Sequence, residues 1–521
     1  MKLMSYLFLT AITLLSWHGS SGQNYNYVES ALLFGSTKPG GSARIQALGG
    51  TQISLGGDYS SAFSNPAGLG MYNRSEFELT PGVTGFSNSA TYNGAKTTET
   101  LSRLNIPGFG AVFHIESGKQ DSKFVGGSFG VTFNRINDFN GGFNYEGLND
   151  RSSIIESFIA AANGTNTSQF DPGSTTDPPG YNYNSPVGLA YFNYIIGPAS
   201  TLDPDFPDDE YFTDVQSNFE DITTPALQRE MVANEGSTNQ WSISYGANFS
   251  DRIFIGGGFG ITTLRYKSEQ IFDESYSFGD PADDDPNFYG LVLNETLNIR
   301  GSGINATIGA IFRPVEFVQL GFAYTTPTLY EMTETYRAEM SSNWKNFDYY
   351  GDGETILNDE SASTDDVTSE YTFTVPSKAS FGATFIAKFG FISADIEYRN
   401  LSNLKYKSDI TGISFSQENN EIKSSYTSVL NYRLGAEYRI NIFRVRAGGS
   451  MMGSPYADDA TKNVFSYSGG VGVRLDKFYI DFALVRRINE GKYSPYGGDL
   501  RPVIDLDGKM TTGMITVGFT Y

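Results

Sequence analysis

The sequence predicts an all-β fold, a transmembrane antiparallel β-barrel of about fourteen strands. Three observations support this fold class. Apolar residues alternate with other residues along many segments, and these segments are long enough for tilted membrane strands. Short connections alternate with long ones. After residue 22, the chain contains no run of about 18 consecutive apolar residues that would form a membrane helix.

Residues 1–22 are predicted to be a cleaved signal peptide. Lys2 is followed by an apolar run from Leu7 to Leu15 and by small residues before Gln23. The apolar run is too short to cross a bilayer. The alternatives are a retained membrane anchor or a short buried helix. Export of a mature chain that starts near Gln23 is therefore expected.

Composition excludes several classes of function. The chain has 521 residues, no Cys, two His and a net charge of -22. Disulfides, thiol nucleophiles and thiolate metal sites are therefore absent from its chemistry, and nucleic acid is not an expected partner because phosphates require clustered Lys and Arg. His114 is the only His after the signal peptide, and a lone His is more often structural than catalytic. The sequence therefore does not predict an enzyme.

Fourteen strands are predicted from the alternation. In the segment 478–485, for example, Phe478, Ile480 and Phe482 share one face and Asp481 lies on the other. The predicted strands are 75–93, 104–116, 123–137, 237–249, 252–275, 289–312, 316–338, 367–387, 389–405, 424–439, 441–452, 463–475, 477–488 and 509–521. The long connections are 138–236, 276–288, 339–366, 406–423, 453–462 and 489–508. Outer-membrane barrels have even strand numbers, short periplasmic turns and long external loops, so a barrel over 75–521 in the bacterial outer membrane is predicted.

The last strand ends on an aromatic residue. Tyr521 follows Ile515, Val517 and Phe519 at alternating positions. Such an end resembles the signal that the outer-membrane assembly machinery recognises, which makes that machinery an expected partner. The alternative is a last strand that simply pairs with the first, as closure of a barrel requires.

Charged residues at alternating strand positions predict a charge network in the lumen. Asp395, Glu397 and Arg399 share one face of a predicted strand, and Arg433 and Glu437 occupy similar positions on the next strand. Charges inside a barrel usually pair and brace it.

The long loops are rich in acidic residues. Asp348, Asp352 and Glu354 lie around glycines in DYYGDGE, and such carboxylates could bind Ca²⁺. The match to an EF-hand loop fails, so solvated loop charge is the alternative reading. Residues 219–236 are predicted to be helical and to cover the pore from the outside.

Residues 23–74 contain many Gly, Ser and Ala residues and do not form a predicted wall strand. Within them, Ser64–Leu69 reads SNPAGL. Pro66 lacks a backbone donor and favours an extended conformation at Asn65, whose side chain can bond the local backbone. A tight, rigid turn is the minimum reading of this motif.

The run FGSTKPGGSARIQALGGTQISLGGDYSSAFSNPAGLGMYNRSEF resembles the N-terminal hatch of the FadL/TodX family of outer-membrane hydrophobic-compound transporters. The segments 320–332 and 373–402 are similar to barrel hairpins of the family, whereas the loops 138–236 and 339–366 do not match. The resemblance implies that residues 23–74 form a hatch, or plug, inside the barrel. It also implies ligand-gated passive diffusion of long-chain fatty acids or other hydrophobic small molecules.

In the family, the hatch shifts and the ligand leaves sideways near the third strand. The resemblance therefore implies a gating role for Asn65, Pro66 and Ala67. It also implies a lateral opening near Gly126, Gly127 and Gly130, since glycine weakens a strand interior. The alternative for these glycines is tight curvature of the wall.

A second function uses the same fold. The barrel could be a scaffold or partner subunit of an envelope secretion or outer-membrane assembly complex, a reading favoured by the long loop 138–236. Apart from Ca²⁺ in the acidic loops, no cofactor is expected.

Overall fold

The computed structural model describes residues 26–117, 123–170, 184–201, 206–213, 215, 225–276, 288–410, 413–498 and 501–521. The predicted signal peptide, residues 1–22, lies outside these ranges. The strands are β1 Glu76–Tyr92, β2 Ala95–Glu116, β3 Phe124–Asp138, β4 Gly141–Asn149, β5 Gly197–Pro198, β6 Tyr211–Phe212, β7 Ala226–Phe249, β8 Ile253–Tyr276, β9 Phe288–Val315, β10 Val318–Thr325, β11 Thr328–Asp348, β12 Ile356–Ser363, β13 Val367–Val375, β14 Lys378–Ala387, β15 Gly390–Asn400, β16 Lys405–Lys407, β17 Ser428–Ile440, β18 Phe443–Met452, β19 Val464–Arg474, β20 Phe478–Tyr493 and β21 Ile504–Thr520. The α-helices are α1 Tyr27–Gly35, α2 Ala43–Ala47, α3 Ser61–Ser64, α4 Ile154–Ala162, α5 Pro186–Phe192 and α6 Ser416–Ser425.

Antiparallel pairing runs around a closed ring. The ring begins with β1, β2, β3, β7, β8 and β9. The next two wall strands are each made of two pieces, β10 followed by β11 and β13 followed by β14. The ring then continues with β15, β17, β18, β19, β20 and β21. The ring closes where β21 pairs with β1, with Thr520 opposite Glu76. With each interrupted strand counted once, the described wall has fourteen strands. The predicted fourteen-stranded barrel is therefore confirmed.

The first hairpin is longer than predicted, because β2 begins at Ala95 rather than at residue 104. Its turn is Asn93–Gly94, with φ values of 45° and 83°. Two consecutive positive φ values are typical of a tight hairpin turn. Residues 95–103 are almost entirely polar and lack an apolar face, so alternation could not reveal them.

Two wall strands are interrupted at the same level. The predicted strand 316–338 is β10 and β11, separated by Thr326 and Pro327, and the predicted strand 367–387 is β13 and β14, separated by Pro376 and Ser377. Proline cannot donate to a ladder and is rarely found inside a central strand. We call this interruption the proline break.

The predicted helix over 219–236 is wrong for its described part. Residues 226–236 belong to β7, and Ala226, Gln228 and Glu230 face inward at alternating positions. A lumen-facing row that contains Gln and Glu breaks the apolar alternation of an ordinary strand, and the remaining pattern resembled an amphipathic helix. Of the described helices, none combines the length and apolar character of a bilayer-spanning segment.

An apolar belt surrounds the outside of the wall. Phe259 on β8 is 73% exposed, and Ile304 and Ile308 on β9 are 63% and 60% exposed. Asn305 and Thr307, which alternate with them on β9, are buried inside the barrel. A continuous apolar surface of this kind suits lipid and not water. The belt therefore marks the membrane-embedded part of the barrel.

The chain ahead of β1 runs lengthwise inside the barrel. α1 packs at the end that carries the long loops, where Tyr27 Oη donates to Glu334 Oε1 at 3.0 Å and Tyr426 Oη donates to the backbone oxygen of Val28 at 2.8 Å. A 3-10 helix, Pro66–Met71, packs on β3, β7, β8 and β9. β1 then starts at the end with the short turns. We call residues 26–74 the plug.

Candidate functional site

The plug is seated on wall glycines. Gly246, Gly256 and Gly309 are paired side by side on β7, β8 and β9. A Cβ atom added to Gly246 or Gly256 would overlap the backbone of Pro66, and one added to Gly309 would overlap Asn65. Gly321, Gly435 and Gly448 approach the plug backbone as closely, and a Cβ atom at Gly382 or Gly470 would lie 2.9 Å from Ile53 Cβ or 2.7 Å from Ala47 Cβ. These eight glycines form a belt on which the plug rests with almost no side chains between.

The predicted gating residues form a buried turn. Asn65 Nδ2 donates to the backbone oxygen of Ile53 at 2.6 Å, and Asn65 Oδ1 accepts from the backbone nitrogen of Ala67 at 3.2 Å. Pro66 occupies the first position of the 3-10 helix, where its missing N–H has no cost. In this conformation the turn holds the plug on the glycine belt. Movement of Asn65, Pro66 and Ala67 during transport stays a prediction.

Two of the predicted lumen charges hold the plug. Asp395 Oδ2 accepts from the backbone nitrogens of Gln52 and Ile53 at 2.7 and 3.1 Å. Arg399 Nη1 donates to the backbone oxygen of Gly35 at 2.7 Å. Both side chains belong to β15, so one wall strand fixes two distant parts of the plug.

The other predicted lumen charges pair along the wall. Arg433 Nη2 lies 3.0 Å from Glu397 Oε2. Arg446 is buried between two acids, with Nε 2.7 Å from Glu437 Oε2 and Nη1 2.6 Å from Asp481 Oδ1. These pairs connect β15 with β17, β17 with β18, and β18 with β20 across the inside of the barrel.

A cavity lies between the plug and the wall on the side of β1, β20 and β21. We call it chamber A, and it contains about 800 Å³ of empty space including its mouth. Val485, Met510 and Met514 give it an apolar wall. Plug residues 38–41 form its opposite side. Only about 100 Å³ of this space is enclosed. Chamber A has the mixed apolar and polar lining of a small-molecule site.

Three cations line chamber A together with one carboxylate. Arg135 Nη1 pairs with Asp138 Oδ2 at 3.2 Å. Lys38 Nζ donates to the backbone oxygen of Asp138 at 3.3 Å, and Arg487 Nε donates to Ser466 Oγ at 3.4 Å. Among the described residues, no carboxylate lies within ion-pair distance of Lys38 or Arg487.

A second cavity lies on the other side of plug residues 37 and 38. We call it chamber B, and it contains about 550 Å³ of empty space including its mouth. Phe34, Phe63 and Tyr330 line it together with Lys378 and Arg399. Lys38 and Ile136 line both chambers. The plug thus separates two cavities that share one lysine.

The wall beside chamber A has a seam. Pairing of β2 with β3 ends at Gly108 and Asn134, and β3 shifts register between Arg135 and Asn137. Above this level, described residues 95–107 of β2 pair with β1 alone. Asn105 and Pro107 on one side of the seam, and residues 135–138 on the other, line chamber A.

The glycines predicted to mark a lateral opening lie below this seam. Gly126, Gly127 and Gly130 are paired with β2 on one side and with β7 on the other. An opening at these glycines would require both ladders to separate. Their role in an opening stays a prediction, and the existing discontinuity lies higher, at residues 105–107 and 135–138.

His114 contacts Ser128, which lies in a G-x-S-x-G pattern at residues 126–130. His114 Nδ1 lies 3.1 Å from Ser128 Oγ. Ser128 is fully buried in the middle of a paired strand. A nucleophile elbow instead exposes its Ser on a sharp turn between a strand and a helix. The pair has the geometry of a structural hydrogen bond.

The acidic residues considered for Ca²⁺ bond to their own loop. Asp348 Oδ2 accepts from Gly353 N at 2.8 Å, and Asp352 Oδ1 accepts from Glu354 N at 2.9 Å. In the described ranges, no three His, Asp or Glu side chains are gathered as a metal ion would require. Calcium binding by Asp348, Asp352 and Glu354 stays a prediction.

The C-terminal residue lies where the barrel closes. The backbone nitrogen of Tyr521 donates to the backbone oxygen of Ser75 at 3.0 Å, and its side chain is 68% exposed. Recognition of Tyr521 by assembly machinery stays a prediction.

Comparison with solved structures identifies the fold. The chain matches the crystal structure of a Pseudomonas aeruginosa FadL homologue with a TM-score of 0.52 and 13% identity, over 93% of this chain and 99% of that chain. This chain has the FadL-like barrel fold. It also matches the P. putida toluene transporter TodX, with a TM-score of 0.50, 12% identity and coverage of 93% and 99%. No protein-family model and no curated protein matches the chain.

The location follows from the fold and the surface. A closed FadL-like barrel with an apolar belt belongs in the bacterial outer membrane, as the sequence predicts.

Sequence reasoning found Arg399 but missed four other cations of the two chambers. They are Lys38, Arg135, Arg487 and Lys378, which come from the plug and from three separate wall strands. Only the closure of the barrel brings them together. For Arg487 the available signal was its place on the same face as Asp481, Ala483 and Val485, whereas Lys38 lies among small and polar residues and gave no signal.

Proposed function

We propose that the protein carries anionic amphiphiles, such as long-chain fatty acids, across the outer membrane by passive diffusion through the plugged barrel. The observation that carries this proposal is chamber A, where three cations and a single carboxylate line a cavity that also has an apolar wall. An acidic head group would bind the cations, and an acyl chain would lie against Val485, Met510 and Met514.

The charges of chamber A support an anionic ligand in particular. Arg487 and Lys38 have no acidic partner within ion-pair distance among the described residues, and the two cations repel each other in the shared lining of chamber A. A carboxylate between them would relieve this repulsion and satisfy two buried donors. A neutral hydrocarbon would leave both cations unpaired. The solved relative TodX is named as a toluene transporter, so the charges suggest a different ligand for this chain.

The seam beside chamber A supports a sideways exit. Since β2 and β3 are unpaired above Gly108 and Asn134, widening the seam breaks no ladder hydrogen bond there. In this proposal the turn Asn65–Ala67 keeps the base of the plug closed, and the ligand reaches the membrane between residues 105–107 and 135–138.

Arg487→Met is expected to weaken binding of a fluorescent long-chain fatty acid to the purified barrel by about 10- to 100-fold. A hydrogen bond to a charged group contributes about 1.5–3 kcal/mol, and about 1.4 kcal/mol corresponds to tenfold. The matched control is Arg486→Met, because Arg486 is the next residue and faces outward. Fluorescence titration in detergent measures both dissociation constants.

Toluene binding to the same variants separates charge recognition from loss of the cavity. Toluene affinity should not change in Arg487→Met. Equal losses for the fatty acid and for toluene, or equal effects of Arg486→Met and Arg487→Met, would contradict the proposal. If wild-type protein bound neither ligand and co-purified with a stoichiometric envelope protein, the scaffold function would be favoured instead.

Lys38→Met is also expected to weaken ligand binding, because Lys38 lines chamber A together with Arg487. An alkyl sulfonate is a suitable probe because it stays ionised. Its dissociation constant should rise by about tenfold or more, since a hydrogen bond to a charged group contributes about 1.5–3 kcal/mol. Fluorescence competition in detergent measures the change, and unchanged sulfonate binding by Lys38→Met would remove Lys38 from the binding site.

A further inference from the structure

The proline break is a second discontinuity of the wall, separated from the seam by β7, β8 and β9. Below the break, Thr325 pairs with Lys378, and above it Thr328 pairs with Val375. Between these pairs, residues 326–327 and 376–377 form no ladder pair in the described sheet. Pro327 and Pro376 have no N–H to contribute to one. The next wall strand is interrupted at nearly the same level, where β15 ends at Asn400 and β16 begins at Lys405.

Chamber B lies directly behind this break. Thr325, Thr326, Thr328, Val375, Pro376 and Lys378 line the chamber, and all six flank the interruption. The wall between chamber B and the lipid therefore lacks ladder hydrogen bonds at the proline break. Opening it requires displacement of two short proline-containing links rather than separation of a continuous ladder.

The break lies near the outer edge of the apolar belt. Phe322 and Phe381, below it, are 48% and 50% exposed to the outside, and Leu329, just above it, is 57% exposed. Glu331, the next outward residue of β11, is charged and exposed. Since charged residues avoid the hydrocarbon region, the break lies at the level where head groups of the outer leaflet meet acyl chains.

Chamber B also contains cations suited to an acidic head group. Lys378 Nζ makes no hydrogen bond or ion pair within the described part of the chain, and Glu397, the acid whose charge acts on it, pairs with Arg433. Arg399 Nε is buried without a partner. Phe34, Phe63 and Tyr330 supply apolar surface beside these cations.

We propose that the proline break is a lateral port through which chamber B exchanges anionic amphiphiles with the outer leaflet of the membrane. The ligand class rests on the proposed transport function, whereas the position of the port rests on the break and the chamber behind it. An amphiphile already dissolved in the outer leaflet would enter chamber B directly and would bypass the external loops. The plug residues shared by both chambers would then lie between this port and chamber A.

Cysteine labelling tests the port, because the chain contains no Cys of its own. Thr326→Cys places a thiol at the break on the lining of chamber B, and Ser377→Cys is a second probe on the opposite link. The control is Thr307→Cys, since Thr307 faces the lumen and is paired on both sides, with Gly258 on β8 and with Thr325 at the last pair below the break. The reagent is a phospholipid that carries a maleimide at the end of one acyl chain, mixed into the vesicles that hold the barrel.

The thiols at the break are expected to react about tenfold faster than the thiol at position 307, because reactivity follows access to the reagent. An anionic head group on the reagent should be preferred to a zwitterionic one, and Lys378→Met should abolish this preference. The matched control is Lys388→Met, in a short turn far from chamber B, which should keep the preference for an anionic head group. Similar labelling rates for the thiols at positions 326, 377 and 307 would overturn the proposal of a port.

Failure of the port can be distinguished from failure of the transport proposal. If the fatty acid binds in an Arg487-dependent manner but positions 326 and 377 are not labelled from the lipid, only the port is wrong. If the barrel binds no fatty acid while positions 326 and 377 are labelled without regard to head-group charge, the anionic ligand class is wrong for both chambers.

Discussion

Gly256→Val is expected to dislodge the plug, which would raise the conductance of the barrel in planar bilayers and lower its unfolding temperature. A Cβ atom at position 256 would overlap the backbone of Pro66, and neither backbone is free to retreat. Overpacking usually costs about 1–3 kcal/mol and occasionally more. The matched control is Gly257→Val, because the nearest atoms to a Cβ at position 257 lie 3.8 and 3.9 Å away.

A pair of compensating substitutions distinguishes loss of plug seating from general misfolding of the barrel. Gly309→Ala should be milder than Gly256→Val, because its new methyl group would overlap a side chain, that of Asn65. Asn65→Ala in the same chain should recover part of the loss. If Gly256→Val matched Gly257→Val in conductance and in unfolding temperature, the glycine belt would not be what seats the plug.

Arg446→Met is expected to destabilise the barrel by about 3–5 kcal/mol, the usual cost of removing one partner from a buried ion pair. The substitution would leave Glu437 on β17 and Asp481 on β20 without the buried cation that lies between them. Denaturant-induced unfolding in detergent, followed by tryptophan fluorescence, measures the change.

The control for Arg446 is an exposed pair. Arg229 lies 3.1 Å from Asp273 on β7 and β8, and both side chains reach solvent. Arg229→Met should cost no more than about 1 kcal/mol. Equal and small effects at both positions would mean that water reaches Arg446 and that the inner network contributes little to stability.

The barrel was predictable because its physical cause is local. Alternation in segments such as 390–400 and 478–485 follows from one lipid-facing and one lumen-facing side, and each strand shows it independently. Prediction failed where a strand leaves the bilayer or carries polar residues inward. Residues 95–103 have no apolar face that alternation could reveal. At the start of β7, Gln228 and Glu230 occupy inward positions, so the segment lacks the apolar alternation of a strand.

The chambers were not predictable because they depend on distant segments. Asn65 and Pro66 were recognisable as a turn from their own chemistry, but the glycines that receive them belong to β7, β8 and β9. Likewise, nothing near Lys38 in the sequence indicates Arg487 as its neighbour. Asp395 and Arg399 were expected to pair within the lumen, whereas both bind the plug backbone instead.

An even number of strands would by itself leave both ends of a chain on the same side of the membrane. The plug changes this, because α1 lies among the outer loops and Tyr521 lies beside Ser75 at the opposite end. The described chain therefore crosses the membrane a fifteenth time, as helices and turns rather than as a strand. Such a crossing is tolerated only where protein surrounds it, and the wall glycines, Asp395 and Arg399 provide that enclosure for its backbone.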